Sequence, residues 1–596
     1  MRQILLYGYL LISALACKPA PAKLSPHTIR ENNVALAQLF DYYYQGRMRL
    51  FPLEATQNGD DRYNDLLPVD FTDSYRDTLR SFYTRCRIGI DSFDSATLNE
   101  QDRLSYAIFK WELGTRLEGL DYPSNKFPFN QFNGLPLTLG QLGSGQSFQP
   151  FRNLKDHQDW LLRARAFGPW ADSAIVYFRK GIAAGWVLPK TLVLKMIPQL
   201  DAMVSGRAED NLFYGPVGLL SANPDTAIVK KLTREYIALI RETIIPSYKK
   251  LANVLKEEYL PRARASSGLS GLPGGAAYYT YLVRDQTTTR ETPEEIYQTG
   301  FNEVTRIRAI MDSVRQAVGF KGDLAAFFTY LKTDKKFMPY KHPAEVLAAF
   351  EAIYKRIQPR LHEYFDHTPK TGFEIRQTEA FRAASASAEY NQGSPDGKRP
   401  GIFYVPILDA RRFNTTSGME SLFLHEAIPG HHYQISLQQE DSLLPEFRRF
   451  GGNNAYIEGW ALYCESLGKE LGLYTDPYQY MGALGDEIHR AVRLVVDVAI
   501  HTRSMTRGTA IKYMMDNEPI SEAGATAEIE RYMAFPAQAL GYKIGAMKIR
   551  ALRNKCRLEL GTRFRIAAFH DEILKDGAMP LEVLEKKMDA WADQQK

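Results

Sequence analysis

Four cysteines in 596 residues leave no basis for a disulfide framework. Cys17 ends an apolar N-terminal segment, and Cys86, Cys464 and Cys556 could form one pair at most. Cys464, between Tyr463 and Glu465, reads as packed rather than reactive. Charge of one sign is equally scarce. The formal net charge is +5 and no Lys/Arg block dominates, which argues against nucleic acid as a partner. After the first 17 residues no apolar run is long enough to span a bilayer, and internal repeats and low-complexity tracts are absent. What the chain does have is 45% hydrophobic and 12% aromatic residues, enough for a large buried core and more than one domain by length.

The start reads as an export signal: Arg2, then the apolar Ile4 to Ala16, then Cys17. Ala14-Leu15-Ala16-Cys17 approximates a lipoprotein cleavage box, although Ala at −3 and Leu at −2 depart from its usual pattern. Ala14-x-Ala16 also fits ordinary signal cleavage. The expectation is a cell-envelope lipoprotein in periplasm or outer membrane, touching membrane only through a lipid on Cys17, with a soluble periplasmic or secreted protein as the alternative. Residues 18–28 then form a tether.

Helical signals dominate the rest. Thr292-Pro293-Glu294-Glu295 is a capping box with proline at the first helical position, and apolar residues follow at 296, 304, 307, 311, 314 and 318. Ser417-Gly418-Met419-Glu420 predicts a second box. Leu232 to Glu258 and Arg490 to Met515 read as long helices. Gly401 to Ile407 is a β-branched and aromatic run, and Pro406 places it at a sheet edge. Arg264 to Gly275, rich in Gly and Ser, is the clearest loop.

The most informative stretch is His425-Glu426-Ala427-Ile428-Pro429-Gly430-His431-His432. Neutral imidazoles can hold a catalytic zinc, and a carboxylate beside it can take a proton from water. The spacing is not His-Glu-x-x-His, because position 429 is Pro. On a straight helix His425 would stand about 9 Å of rise from His431 and about 10.5 Å from His432. Two ligands of one zinc need nitrogens only about 3 to 4 Å apart. Pro429 lacks an N–H and crowds the carbonyl of His425, while Gly430 tolerates unusual dihedrals, so a local bulge is expected that carries a later histidine back over the first. Either His431 or His432 could be that residue. A third ligand should come from a second helix, where Glu458 and Glu465 lie seven apart on one side of Asn454 to Glu465. Glu458, embedded among Tyr, Ile, Trp, Ala and Leu, needs a partner.

Arg490, Arg493, Asp497 and His501 form a second constellation, one stripe on a helix that is otherwise Val, Leu, Ala and Ile. Buried charges must pair, so Asp497 should hold Arg493 or orient His501. An arginine of the stripe could instead grip a substrate carboxylate.

Taken with Pro52 to Gly59, Leu272 to Gly275, Glu458 to Tyr463, Arg493 to Asp497 with His501, and Arg531 to Gly545, the His425 block resembles the bacterial domain-of-unknown-function family 885, zincin-like and often lipoprotein. More distantly it is similar to helical gluzincin peptidases such as thimet oligopeptidase, angiotensin-converting enzyme and the thermostable carboxypeptidases. The resemblance implies a mostly α, multi-helical, two-lobed zincin-like fold with a small β-sheet beside the active-site helix. It implies an N-terminal helical lobe over 29–290 and a zinc-site lobe over 291–596, one family domain covering both, with the edge strand binding substrate backbone. It selects His425, His431 and Glu458 as Zn2+ ligands and Glu426 as the base, with Tyr542 and His501 as candidate oxyanion donors and Tyr532 as the next. The implied activity is zinc-dependent hydrolysis of short peptides. Hydrolysis of a non-peptide amide or ester, or a non-catalytic surface-anchored binding protein, are the competing expectations.

Overall fold

The computed structural model describes residues 26–596 except 205, 223–224, 379–386, 395–396, 398 and 417. Cys17 and the signal segment lie outside the described residues. Among those described, no helix is long and apolar enough to cross a membrane, and Cys86, Cys464 and Cys556 are buried free thiols.

The described residues are mostly helical, with one small three-stranded sheet among them. Six helices position the site. Helix α1 (Pro293–Ala317) opens as its sequence dictates: the Thr292 hydroxyl accepts the Glu295 N–H, and Glu295 accepts the Thr292 N–H. Its stripe of Ile296, Val304, Ile307, Met311 and Val314 is buried. Helix α2 (Met419–Glu426) carries His425 and Glu426, α3 (His431–Glu440) carries the later histidines, and α4 (Asn454–Glu465) carries both candidate acids. Helix α5 (Pro477–Thr502) holds the charged stripe, and α6 (Leu540–Leu560) begins with Tyr542 in its first turn.

Several expected elements differ in detail. Leu232 to Glu258 is helical, but with π-type turns at Ile240–Ile244 and Leu255–Tyr259; the first lies against Pro246, which has no N–H to offer the regular ladder. The Arg490–Met515 run is two helices, since α5 ends at Thr502 and a new one starts at Arg507, capped by Thr506. Ser417 lies outside the described residues. Helix α2 starts from Gly418 in the left-handed region with no side-chain cap, and Glu420 accepts the Tyr474 N–H and pairs with Arg356.

The strand expected at a sheet edge is central. Strand β3 (Gly401–Val405) lies between β1 (Phe373–Gln377), parallel with Phe373 opposite Gly401, and β2 (Glu389–Asn391), antiparallel with Tyr390 opposite Phe403. Pro406 falls just past the strand, so it costs no ladder hydrogen bond. The outer positions belong to β1 and β2, and Tyr390 of β2 meets the end of α2 at Glu426.

Helices α2, α4 and α6 share one apolar core with the first helices of the chain, whereas α1 and α5 anchor another. Helices α4 and α6 meet backbone on backbone: a Cβ at Gly459 of α4 would sit 2.5 Å from the Gly545 Cα of α6, and one at Gly545 1.8 Å from the Ala455 carbonyl oxygen. Backbone cannot yield as a side chain can. Alanine is favoured over glycine in a helix by about 0.8–1 kcal/mol, while overpacking costs ~1–3 kcal/mol. With rigid neighbours the second term wins. Gly459→Ala should therefore lower the denaturation midpoint and weaken metal retention one residue away at Glu458; an unchanged midpoint would mean the helices can separate freely.

Candidate metal centre

Helix α2 stops at Glu426 and α3 restarts at His431, so the expected bulge is a complete break over Ala427–Gly430. The Ile428–Pro429 peptide is cis. Only glycine fits at 430, because a Cβ there would lie 1.9 Å from the His425 carbonyl oxygen and 2.4 Å from that of Leu424. Trp460 of α4 donates its indole N–H to the Pro429 carbonyl at 3.0 Å, fixing the break against the helix that carries the acids.

The break brings the His425 and His431 rings to 4.9 Å, perpendicular to one another. Glu458 Oε2 lies 3.5 Å from His425 Nε2 and 3.7 Å from His431 Nε2. One ligand atom from each of the three falls within 4.8 Å of the others, so this group could hold a metal ion. Zinc bonds of about 2.0–2.2 Å in tetrahedral geometry need donors about 3 to 4 Å apart, and both Glu458 separations fall in that range. Glu458 Oε2 is also buried with no hydrogen-bond partner among the described residues, which fits an oxygen meant for a cation.

His432 points elsewhere. Its Nδ1 lies 3.0 Å from the Tyr390 hydroxyl, and its ring packs on Phe373 of β1. Glu465 is no ligand in this arrangement either; its Oε1 accepts from His425 Nδ1 at 2.7 Å and so fixes which nitrogen faces the cluster. Burial alone would push the His425 pKa down, but Glu458 and Glu465 overcome it and hold the ring at about 10. Burial wins at His431 and takes its pKa to about 4. Glu458 is held at about 2 against its own burial, by His425 and His431. Burial pushes Glu426 up to about 7, partly offset by His425 and by the Tyr390 N–H, which donates to Glu426 Oε2 at 3.0 Å.

Tyr542 joins this group, its ring stacked on His425 at 6.4 Å with a 16° interplanar angle. His501 does not. It is fully buried with both nitrogens engaged: Nδ1 accepts the Leu269 N–H at 3.0 Å, and Nε2 donates to the Tyr532 carbonyl at 3.1 Å. That pattern requires neutral imidazole, and burial lowers its pKa to about 3. Asp497 neither holds Arg493 nor orients His501; it accepts the Tyr279 hydroxyl at 2.6 Å and the Ala537 N–H at 3.1 Å. Tyr532 is committed to Arg493 and Glu528. Sequence reading missed the Tyr390 contact, and no signal in that segment announces it.

His431→Ala and Glu458→Ala should lose metal by mass spectrometry, and His432→Ala should keep it; the opposite result for the two histidines would move the ligand to 432. Glu465→Ala should retain coordination with an affinity weaker by roughly 10- to 100-fold, the usual effect of losing an orienting carboxylate. His501→Ala strands two buried backbone groups at about 1–3 kcal/mol each, so its thermal midpoint should fall while metal content holds.

The family model for bacterial proteins of unknown function, DUF885, matches residues 52–588. No curated protein matches the chain. Among solved structures it is similar to a "putative lipoprotein" from Colwellia psychrerythraea, at 29% identity and a TM-score of 0.86, over 94% of this chain and 99% of the other. It also shares its fold with a "putative lipoprotein of unknown function" from Shewanella oneidensis, at 18% identity and a TM-score of 0.69, over 93% and 99% of the two chains. The extent of the family match, through every element that builds the metal centre, makes this chain a member of DUF885.

Proposed function

We propose that the protein is an exported zinc-dependent metallopeptidase of short peptides, using a carboxylate to activate water. The observation that carries this reading is the meeting of His425, His431 and Glu458 around one point with Glu426 next in the chain to a ligand. Two imidazoles and a carboxylate are the donor set of zinc sites that keep a position open for substrate. A zinc ion held there would polarise the scissile carbonyl and lower the pKa of the attacking water to around 7.

The chain's own groups then divide the work. Glu426 accepts the proton of the attacking water and later passes it to the leaving amine. Burial brings its pKa to about 7, where a carboxyl can both take and return a proton at neutral pH. Glu465 holds the His425 ring in one tautomer. Tyr542 donates its hydroxyl to the oxygen that gains charge, a role supported by its stacking on His425. The N-terminal Cys17 segment and the lipoprotein descriptions of the two similar structures support an envelope location.

Glu426→Gln should bind metal like the wild type and cleave no peptide, measured by metal analysis beside a peptide-library digest; hydrolysis at the wild-type rate would remove Glu426 from the mechanism. Tyr542→Phe should lower kcat about a hundred- to a thousand-fold, the ~2.7–4 kcal/mol of one oxyanion donor, with KM little changed. Metal-loaded wild type that cleaves esters or non-peptide amides but no peptide would keep the chemistry and reject the substrate class.

A further inference from the structure

Helices α2 and α5 lie side by side and run in the same direction. A Cβ at Gly482 would meet the Gly418 nitrogen at 2.6 Å, and one turn further on the Ser421 hydroxyl donates to Asp486 Oδ2 at 2.5 Å. One more turn on both helices sets Arg490 level with His425 and Glu426. Its guanidinium lies over the Tyr542 ring, 5.9 Å from the centroid, and that of Arg493 lies at 4.9 Å. Tyr542 is the ring that stacks on His425. Two cations are thus one aromatic ring away from the metal centre.

Their bonds are unequal. Arg493 donates from Nη2 to Glu528 at 3.0 Å and from Nε to the Tyr532 hydroxyl at 2.9 Å. Glu528 also faces His489 and Arg531, and His489 is paired with Glu518. Among the described residues the acid paired with Arg490 is Asp486, at 3.8 Å, beyond hydrogen-bond reach, and Asp486 already accepts from Ser421. Among the same residues Arg490 Nε and Arg493 Nη1 are both buried without a hydrogen-bond partner. A guanidinium N–H taken out of water and left unbonded is costly unless a ligand receives it. The ligand that fits a planar fork of N–H donors is a planar anion with two oxygens.

We propose that Arg490, with Arg493 behind it, binds the α-carboxylate that ends a peptide, so that the protein removes short fragments from the C-terminal end of its substrates. This rests on the peptidase reading above. The separations of 6.4 Å and 5.9 Å across the Tyr542 ring bound the distance from His425 to the Arg490 guanidinium at about 12 Å. An extended peptide, at ~3.3–3.6 Å per residue, covers that distance in about four residues, so the fragment removed is short.

The test uses metal-loaded full-length protein and three peptides of one sequence: a free C-terminal acid, a C-terminal amide, and an amide whose last residue is Glu. The wild type should cleave the acid with a kcat/KM at least tenfold above both amides, mostly through KM. Arg490→Gln should bring the acid down to the level of the amide, and Arg490→Lys should restore part of the preference. Calorimetric binding of the acid and the amide to Glu426→Gln provides a readout independent of turnover, and the acid should bind at least tenfold tighter. Equal cleavage and equal binding of acid and amide would overturn the inference while leaving the peptidase reading intact. Preference for the Glu-ended amide would transfer the site to a side-chain carboxylate and also overturn it. Tighter binding of the acid with no cleavage of any peptide would sink the peptidase reading and keep the carboxylate site.

Discussion

Three carboxylates and two imidazoles share one apolar interior, and the surrounding structure is arranged to make that tolerable. Glu458 and Glu465 come from the same face of α4, and Glu426 comes from the end of α2. An ionised carboxylate taken out of water costs several kcal/mol unless paired. His425 answers two of them at once, through Nε2 towards Glu458 and Nδ1 to Glu465. His431 is kept neutral by burial and adds no charge. The three carboxylates therefore outnumber the one imidazole that balances them, which is the electrostatic condition that favours a divalent cation. Arg490 contributes at longer range, holding down both Glu426 and Glu458.

That grouping dictates two backbone features. Histidines six apart cannot converge on a straight helix, so the helix must end between them, and Gly430 allows the chain to turn against the Leu424 and His425 carbonyls. Glu458 must reach the cluster from another helix, and α4 is held in place by Gly459 lying on Gly545. Because α6 also carries Tyr542 in its first turn, the same crossing sets the candidate third ligand and the candidate oxyanion donor together.

The residues of the candidate site were legible in the sequence more fully than their geometry. His425, Glu426 and the Gly430-His431 pair carry their spacing problem openly, and Pro429 announces that the helix must be disrupted. Whether it bulges or breaks depends on Trp460, which grips the Pro429 carbonyl from thirty-one residues away. Glu458 and Glu465 were both visible as candidates, since a period of seven puts them on one face. Which becomes ligand and which orients His425 is decided by how α4 lies against α2, a tertiary quantity with no local signature. The sheet failed for a related reason. Gly401–Val405 reads as a strand from its own residues, but its central place comes from β1 and β2, short segments whose pattern predicts little. Thr292 and its box were right because capping is a local interaction.

The charged stripe on α5 shows where periodicity stops informing. All four residues do face inward together, yet they serve two purposes. Arg490 and Arg493 turn to Tyr542. Asp497 and His501, one and two turns later, bind the Ala537 and Leu269 backbone and the Tyr279 hydroxyl. Ala537 has φ of 66° and stands three residues before α6 begins, so Asp497 fixes the turn that aims the first residues of α6. His501 ties the Leu269 loop to the Tyr532 carbonyl on the neighbouring helix. These two residues therefore bear on the candidate centre by position, through the approach to Tyr542, while Arg490 bears on it by charge. A stripe that looks like one device from the sequence divides along the helix, because its last two turns are bonded to backbone and its middle turns face an aromatic ring.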